Sequence, residues 1–118
     1  MKLNHLDLSV ADVPQTRDFL IEHFDFTCVT DRGEMSVLRD SDGFMLVLTK
    51  LQSDDPPNYP ARFHIGFILG DIKEVEHKYE QLKNNGVELP PSFMQHGGLT
   101  MFHCSAPGEI TVEVSCFQ

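Results

Sequence analysis

The chain has 118 residues, 41% of them hydrophobic and 23% charged, the size and make-up of one globular domain able to bury its own core. Nine Lys plus Arg against eighteen Asp plus Glu leave a net charge of -9, which repels phosphate backbones and anionic bilayers and so excludes nucleic acid and membrane as expected partners. No apolar run approaches the roughly 20 residues of a membrane span, the start Met1-Lys2-Leu3-Asn4-His5 has no apolar leader, and the three cysteines, Cys28, Cys104 and Cys116, show no CxxC spacing; a cytoplasmic protein with reduced thiols is the expectation.

The first stretch, Leu3-Asn4-His5-Leu6-Asp7-Leu8-Ser9-Val10-Ala11-Asp12-Val13, alternates with period two and predicts a strand. Leu6, Leu8 and Val10 share its core face, and His5, Asp7 and Ser9 share the other. Asp12, Pro14 and Gln15 form a helix start, with a side-chain cap and a pre-set φ in the first turn. The helix is expected to run to about His23, with Phe19, Leu20 and Phe24 as its apolar stripe. Strands are predicted over 27–30 and 35–39, separated by the turn cluster Asp31-Arg32-Gly33. After the turn Asp40-Ser41-Asp42-Gly43, a strand over 44–49 completes a βαβββ unit.

Residues 52–60 hold three prolines, two aspartates, a serine and an asparagine, a composition that propagates neither helix nor central strand. They read as a linker between a first module of about 1–51 and a second of about 61–118, within a single domain over 1–118. The linker is also the expected place for modules to exchange between subunits. Beyond it the order repeats. Arg62-Phe63-His64-Ile65-Gly66-Phe67-Ile68-Leu69-Gly70-Asp71-Ile72 restates the opening stretch, with a histidine again seven residues before an aspartate that is followed by a β-branched residue. Asp71 and Glu74 form a capping pair, and Asn84-Asn85-Gly86 ends the helix with residues that tolerate left-handed dihedrals. A short strand is expected over 87–89, a loop over 92–98 with Met94 and His96, a strand over 100–105, a turn at Ala106-Pro107-Gly108 and a last strand over 110–116.

In that last strand Ile110, Val112 and Val114 face the core, so Glu113 points to the same side as the histidines. Aligning the two modules sets Val47 of the first against Glu113 of the second. Four central positions follow: His5, Val47, His64 and Glu113. Two imidazoles and one carboxylate on separate strands suit a divalent metal, leaving coordination sites open for water, substrate or dioxygen. Against this stands the plain reading that each of the three is a solvated polar residue on an open sheet face.

On these residues, and on the Phe63-His64-Ile65-Gly66-Phe67 strand, the Asp40-Ser41-Asp42-Gly43 turn and the ending from Ala106-Pro107-Gly108 to Val112-Glu113-Val114, the whole chain resembles the vicinal-oxygen-chelate superfamily. That superfamily includes glyoxalase I, extradiol dioxygenases, fosfomycin-resistance enzymes and bleomycin-resistance proteins. The resemblance implies an α+β fold of two βαβββ modules forming a curved mixed sheet. It implies a homodimer acting on a small-molecule substrate, with His5, His64 and Glu113 as ligands of a divalent ion of iron, manganese, nickel or zinc. Glyoxalase I supplies a fourth, carboxylate ligand from the fourth strand, where this chain has Val47, so a methylglyoxal isomerase is disfavoured. The three-ligand dioxygenases and fosfomycin enzymes are closer. In the extradiol group a catalytic tyrosine stands where this chain has His103, which can serve as acid, base or hydrogen-bond donor to a ligand, or stand as a spectator in the pocket wall.

Two further classes of function stay open. One is a metal-free module that sequesters a planar ligand, as bleomycin-resistance proteins do, although the chain has no tryptophan for stacking. The other is a regulatory or structural dimer with a vestigial site. His23 and His77 are expected on helix surfaces, and His96 in a loop that closes over the pocket. Arg39 can orient an anionic substrate or stand solvated, Asp7 and Ser9 can support His5, and Met35, Met45 and Met101 would line the cavity.

Overall fold

A computed structural model describes residues 1–56 and 59–118. The chain divides into two compact units, one of residues 1–59 with 106–108, the other of residues 60–105 with 109–118. Each holds one helix and one four-stranded sheet.

In the first unit the elements are β1 (His5–Val10), α1 (Val13–Phe24), β2 (Thr27–Asp31), β3 (Met35–Arg39) and β4 (Met45–Lys50), with sheet order β1-β4-β3-β2. The helix starts where the Asp12 carboxylate accepts the Gln15 N–H at 2.9 Å, and it stops at Asp25 in the left-handed region with φ 60°. It buries Val13, Thr16, Leu20, His23 and Phe24, and the strands meet it with Leu8, Val10, Leu38, Leu46 and Leu48, all nearly inaccessible. This is the alternation expected of β1 and β4. His23, expected at the surface, is instead buried at 7% exposure, its ring edge-on to Phe19 at 4.8 Å. It stands four residues after Phe19 and three after Leu20, so helical periodicity turns it inward.

The β2–β3 turn is organised by Asp31, whose carboxylate accepts the Gly33 N–H and the Ser36 hydroxyl and pairs with Arg17 at 2.7 Å. The Gly33 N–H above all, then Ser36 and Arg17, hold that carboxyl below its ordinary range. Asp40 does similar work before β4, taking the N–H groups of Asp42 and Phe44. Edge strand β1 is covered at one residue by Tyr59, whose hydroxyl donates to the Ser9 carbonyl at 3.0 Å and accepts the Ser9 N–H at 2.8 Å. Of the expected linker over 52–60, residues 57 and 58 lie outside the described residues.

In the second unit β5 (His64–Leu69), α2 (Ile72–Asn84), β6 (Met94–His96), β7 (Leu99–Ala106) and β8 (Ile110–Phe117) take the order β5-β8-β7-β6. The two sheets are wired identically, and the α+β class and the repeated βαβββ order hold. Asp71 caps α2 through the Glu74 N–H, while the Glu74 carboxylate reaches back to the Gly70 N–H at 2.7 Å. The core of this unit is Val75, Leu82, Phe102, Val112 and Val114, all fully buried.

One expected element is misplaced. Residues 87–89 form no strand, because the Val87 N–H is spent on the Leu82 carbonyl while the Gly86 N–H bonds Lys83, closing the helix in a Schellman motif. The second strand of the module is β6, inside the stretch expected to be loop. It pairs with β7 through His96↔Leu99 and Met94↔Met101, joined by Gly97 and Gly98 at φ 59° and 81°. Both signs are those of the tight two-residue hairpin that glycine permits.

Candidate functional site

The register of the sheets shows how the repeat places its polar side chains. In the first unit His5 lies across from Met45 and Asp7 across from Val47. In the second, His64 lies across from Thr111 and Gly66 across from Glu113. The two parallel pairs match position for position, so His5 is the counterpart of His64 and Val47 of Glu113. The carboxylate is not simply absent from the first unit. Asp7, the direct neighbour of Val47, carries it on the adjoining strand and accepts the Thr49 hydroxyl at 2.8 Å.

Three polar residues converge on the non-core face of the second unit's sheet. His64 comes from the start of β5, Glu113 from the middle of β8 and His103 from β7 between β8 and β6. Glu113 Oε2 lies 3.0 Å from His103 Nε2 and 3.4 Å from His64 Nε2, and the two rings are 5.7 Å apart. The carboxylate is the more enclosed, at 13% side-chain exposure against 38% for His103 and 43% for His64. It is held close to β5 because Gly66 has no side chain. A Cβ there would stand 3.1 Å from the Glu113 carbonyl oxygen and 3.2 Å from its Cβ.

The orientation of His64 is fixed from behind. Its Nδ1 lies 2.9 Å from the Arg62 carbonyl oxygen, which can only accept, so Nδ1 carries a proton and the Nε2 edge is turned toward Glu113. A backbone carbonyl behind the distal nitrogen is also how metal-bound imidazoles are oriented. His103, by contrast, donates Nε2–H to the carboxylate.

Among the described residues no group of three or more His, Cys, Asp or Glu side chains takes up a metal-holding arrangement. The contacts here run from side chain to side chain, with the Glu113 oxygen between the two imidazoles. The donor types nevertheless suit a divalent ion: the His64 Nε2 edge and a Glu113 carboxylate oxygen, with His64 already braced. His5 stands in the first unit at the exposed head of β1.

The three residues sit in a cavity of about 870 Å³ in the second unit. Phe63, Leu99, Met94 and Met101 give it apolar walls, and Arg62, Gln95 and His96 add polar groups. Met101 was anticipated as lining; Met35 and Met45 belong to strands of the other unit. His96, anticipated in a loop, lines the cavity from β6. Sequence reasoning missed the placing roles of Gly66 and Arg62. A glycine inside an apolar strand was the available signal for the first; a main-chain carbonyl leaves no mark on residue type, so the second had none.

Comparison with known proteins agrees with this architecture. Residues 2–114 match the Glyoxalase/Bleomycin resistance protein/Dioxygenase superfamily. A structure described as a possible glyoxalase from Bacillus cereus is 38% identical, with a TM-score of 0.84 over 98% of this chain and 99% of that one. At fold level alone, the chain is similar to lactoylglutathione lyase from Agrobacterium tumefaciens, 16% identical with a TM-score of 0.79 over 98% of this chain and 92% of that one. It is likewise similar to the fosfomycin resistance protein FosX from Listeria monocytogenes, 20% identical with a TM-score of 0.80 over 100% of this chain and 94% of that one. No curated protein matches the sequence. With a match spanning nearly all of its length, the duplicated βαβββ fold and a solved relative at more than a third identity, the chain belongs to the glyoxalase/bleomycin resistance protein/dioxygenase superfamily.

Proposed function

We propose that this protein is a divalent-metal-dependent enzyme acting on a small oxygenated substrate, with His64 and Glu113 of the second unit and His5 of the first as metal ligands and His103 as the group that moves a proton. The observation that supports it is the approach of two Nε2 atoms to one carboxylate oxygen, at 3.0 and 3.4 Å, inside a cavity. His5 enters through its equivalence to His64 in the repeat. When bound, a divalent ion supplies Lewis acidity to a substrate oxygen.

The rest is done by the chain itself. The Arg62 carbonyl keeps the His64 ring from turning. His103 holds its proton at Nε2, where Glu113 accepts it; a substrate oxygen entering beside that bond meets a donor already aimed, and the same ring takes the proton back from a water. Apolar walls from Leu99, Met94 and Met101 displace water from the reacting groups. With Val47 rather than a carboxylate in the first unit, the three-ligand chemistry of ring-opening oxygenation or epoxide addition fits better than isomerisation of a glyoxal adduct. The reading extends to a cytoplasmic homodimer, in which both units work as one domain.

A second reading has one observation in its favour. The Glu113 carboxylate is already satisfied by a direct bond from His103, as it would be in a metal-free module that binds and sequesters a small molecule. Metal analysis separates the two. Protein reconstituted with iron, manganese, nickel and zinc should retain one of them at about one ion per site, and His64→Ala should lose it. Failure to retain any of the four, in protein that is folded by circular dichroism, removes the enzyme reading. A turnover screen against catechols, epoxides and α-keto thiol adducts then sorts the chemistry.

A further inference from the structure

We propose that the second-unit cavity takes an organic anion, a carboxylate carried on an apolar body, with Arg62 and His96 receiving the carboxylate. The inference rests on the reading that this cavity is the functional site, and it adds the class of molecule bound there.

The cavity is richer in hydrogen-bond donors, and poorer in acids, than the chain as a whole. Acidic residues outnumber Lys plus Arg by eighteen to nine overall, yet the cavity gathers Arg62, His64, His96 and His103 around one acid, Glu113. That acid already accepts a hydrogen bond from one of the imidazoles, His103. Arg62 and His96 are not so engaged. Among the described residues neither the Arg62 guanidinium nor the His96 ring has an ion-pair or hydrogen-bond partner. Arg62 is bound to the site through its own main chain, since its carbonyl holds His64, which fixes where its side chain begins. His96 is fixed by its pairing with Leu99 on β7.

Between these groups the wall is Met94, Leu99 and Met101, thioether and aliphatic surface that adapts to a flat or branched hydrocarbon without selecting its outline. A guanidinium offers a carboxylate two parallel N–H donors. A neutral oxygenated molecule would leave that fork and the His96 ring to water. The complementary ligand is amphiphilic: one negative end, one hydrocarbon end, and an oxygen that reaches toward Glu113 and His103.

The test uses the whole chain and a matched pair of probes, 3-phenylpropanoate and 3-phenylpropanamide, alike in shape and different in charge. Binding is measured by titration calorimetry and by ligand-observed NMR, with metal content determined on the same samples. The acid is expected to bind about tenfold more tightly than the amide. Arg62→Gln is expected to erase the difference by weakening the acid alone, Arg62→Lys to keep part of it, and His96→Gln to reduce it. Arg39→Gln, on the first unit, is expected to leave it unchanged. Equal affinities for the two probes, no saturable binding of the acid, or a preference abolished by Arg39→Gln and not by Arg62→Gln would each overturn the inference. An acid preference in protein that retains none of the four metals after reconstitution supports it while removing the enzyme reading; metal held with no acid preference does the reverse.

Discussion

Gly66→Ala asks whether the close approach of β5 to β8 is what places Glu113. The added Cβ would lie 3.1 Å from the Glu113 carbonyl oxygen and 3.2 Å from its Cβ, inside the roughly 3.5–4.0 Å at which carbon contacts are favourable. Neither atom is the free end of a flexible side chain, because Glu113 is locked in register with Gly66. Overpacking of this kind costs about 1–3 kcal/mol. Gly66 is not a left-handed position, so alanine also brings a gain of about 0.4–1 kcal/mol by restricting the unfolded chain. The net is a loss of up to about 2.6 kcal/mol, centred on about 1.3 kcal/mol, or a fall in Tm of roughly 5 °C and at most about 10 °C at about 4 °C per kcal/mol for a domain of this size. Gly70→Ala is the comparator, since its Cβ meets the Glu74 Oε2 at 3.3 Å, the end of a side chain that can yield. Its Tm should hold steady or rise slightly. Thermal unfolding followed by far-ultraviolet circular dichroism reads both variants, and equal shifts in the two would refute the argument that β5 and β8 are packed to contact at Glu113.

Three other outcomes are expected. Glu113→Gln should weaken binding of the proposed metal by at least about tenfold in a competition titration with a chelator, since it removes the charged acceptor between the imidazoles; unchanged affinity would take Glu113 out of the ligand set. Tyr59→Phe removes both hydrogen bonds to Ser9 and should cost about 1–2 kcal/mol in urea unfolding, with no loss if water replaces the phenol fully. Burial raises the Cys104 thiol to about 11, from 9.0, so the neutral thiol is favoured in the folded chain. The stability this gives is complete below about pH 9 and is lost as pH rises through about 11. With Cys28 exposed and Cys104 and Cys116 buried, a thiol reagent at pH 8 should find one fast group per native chain, and three fast groups would contradict the burial.

The repeat was legible because each strand writes its two faces in alternate residues, and both copies kept the histidine and the capping aspartate in the same frame. That was enough to place His64 and Glu113 on one face and to set Val47 opposite Glu113 in the alignment, a correspondence the register reproduces. The second module's β6 was not legible in the same way. All three of its residues are exposed, so hydrophobic patterning, which reports burial, had nothing to mark there. Val87 and Leu89 looked like a strand for the opposite reason: they are apolar, but Val87 serves the end of a helix. The sign of the hairpin is Gly97-Gly98, a turn dipeptide between His96 and Leu99. His23 went inward because a helical stripe is set by spacing and not by polarity.

The sideways displacement of the acid in the first unit alters what that unit is. Followed one position at a time, the first copy has Val47 where the second has Glu113; followed as a facing pair, it has its acid at Asp7, on the strand across from Val47. Imidazole and carboxylate of His5 and Asp7 therefore ride on a single strand, roughly 7 Å apart along it, where the other copy divides them between two. The first unit thus carries its imidazole and its acid along one face of one strand, an arrangement the second unit does not share.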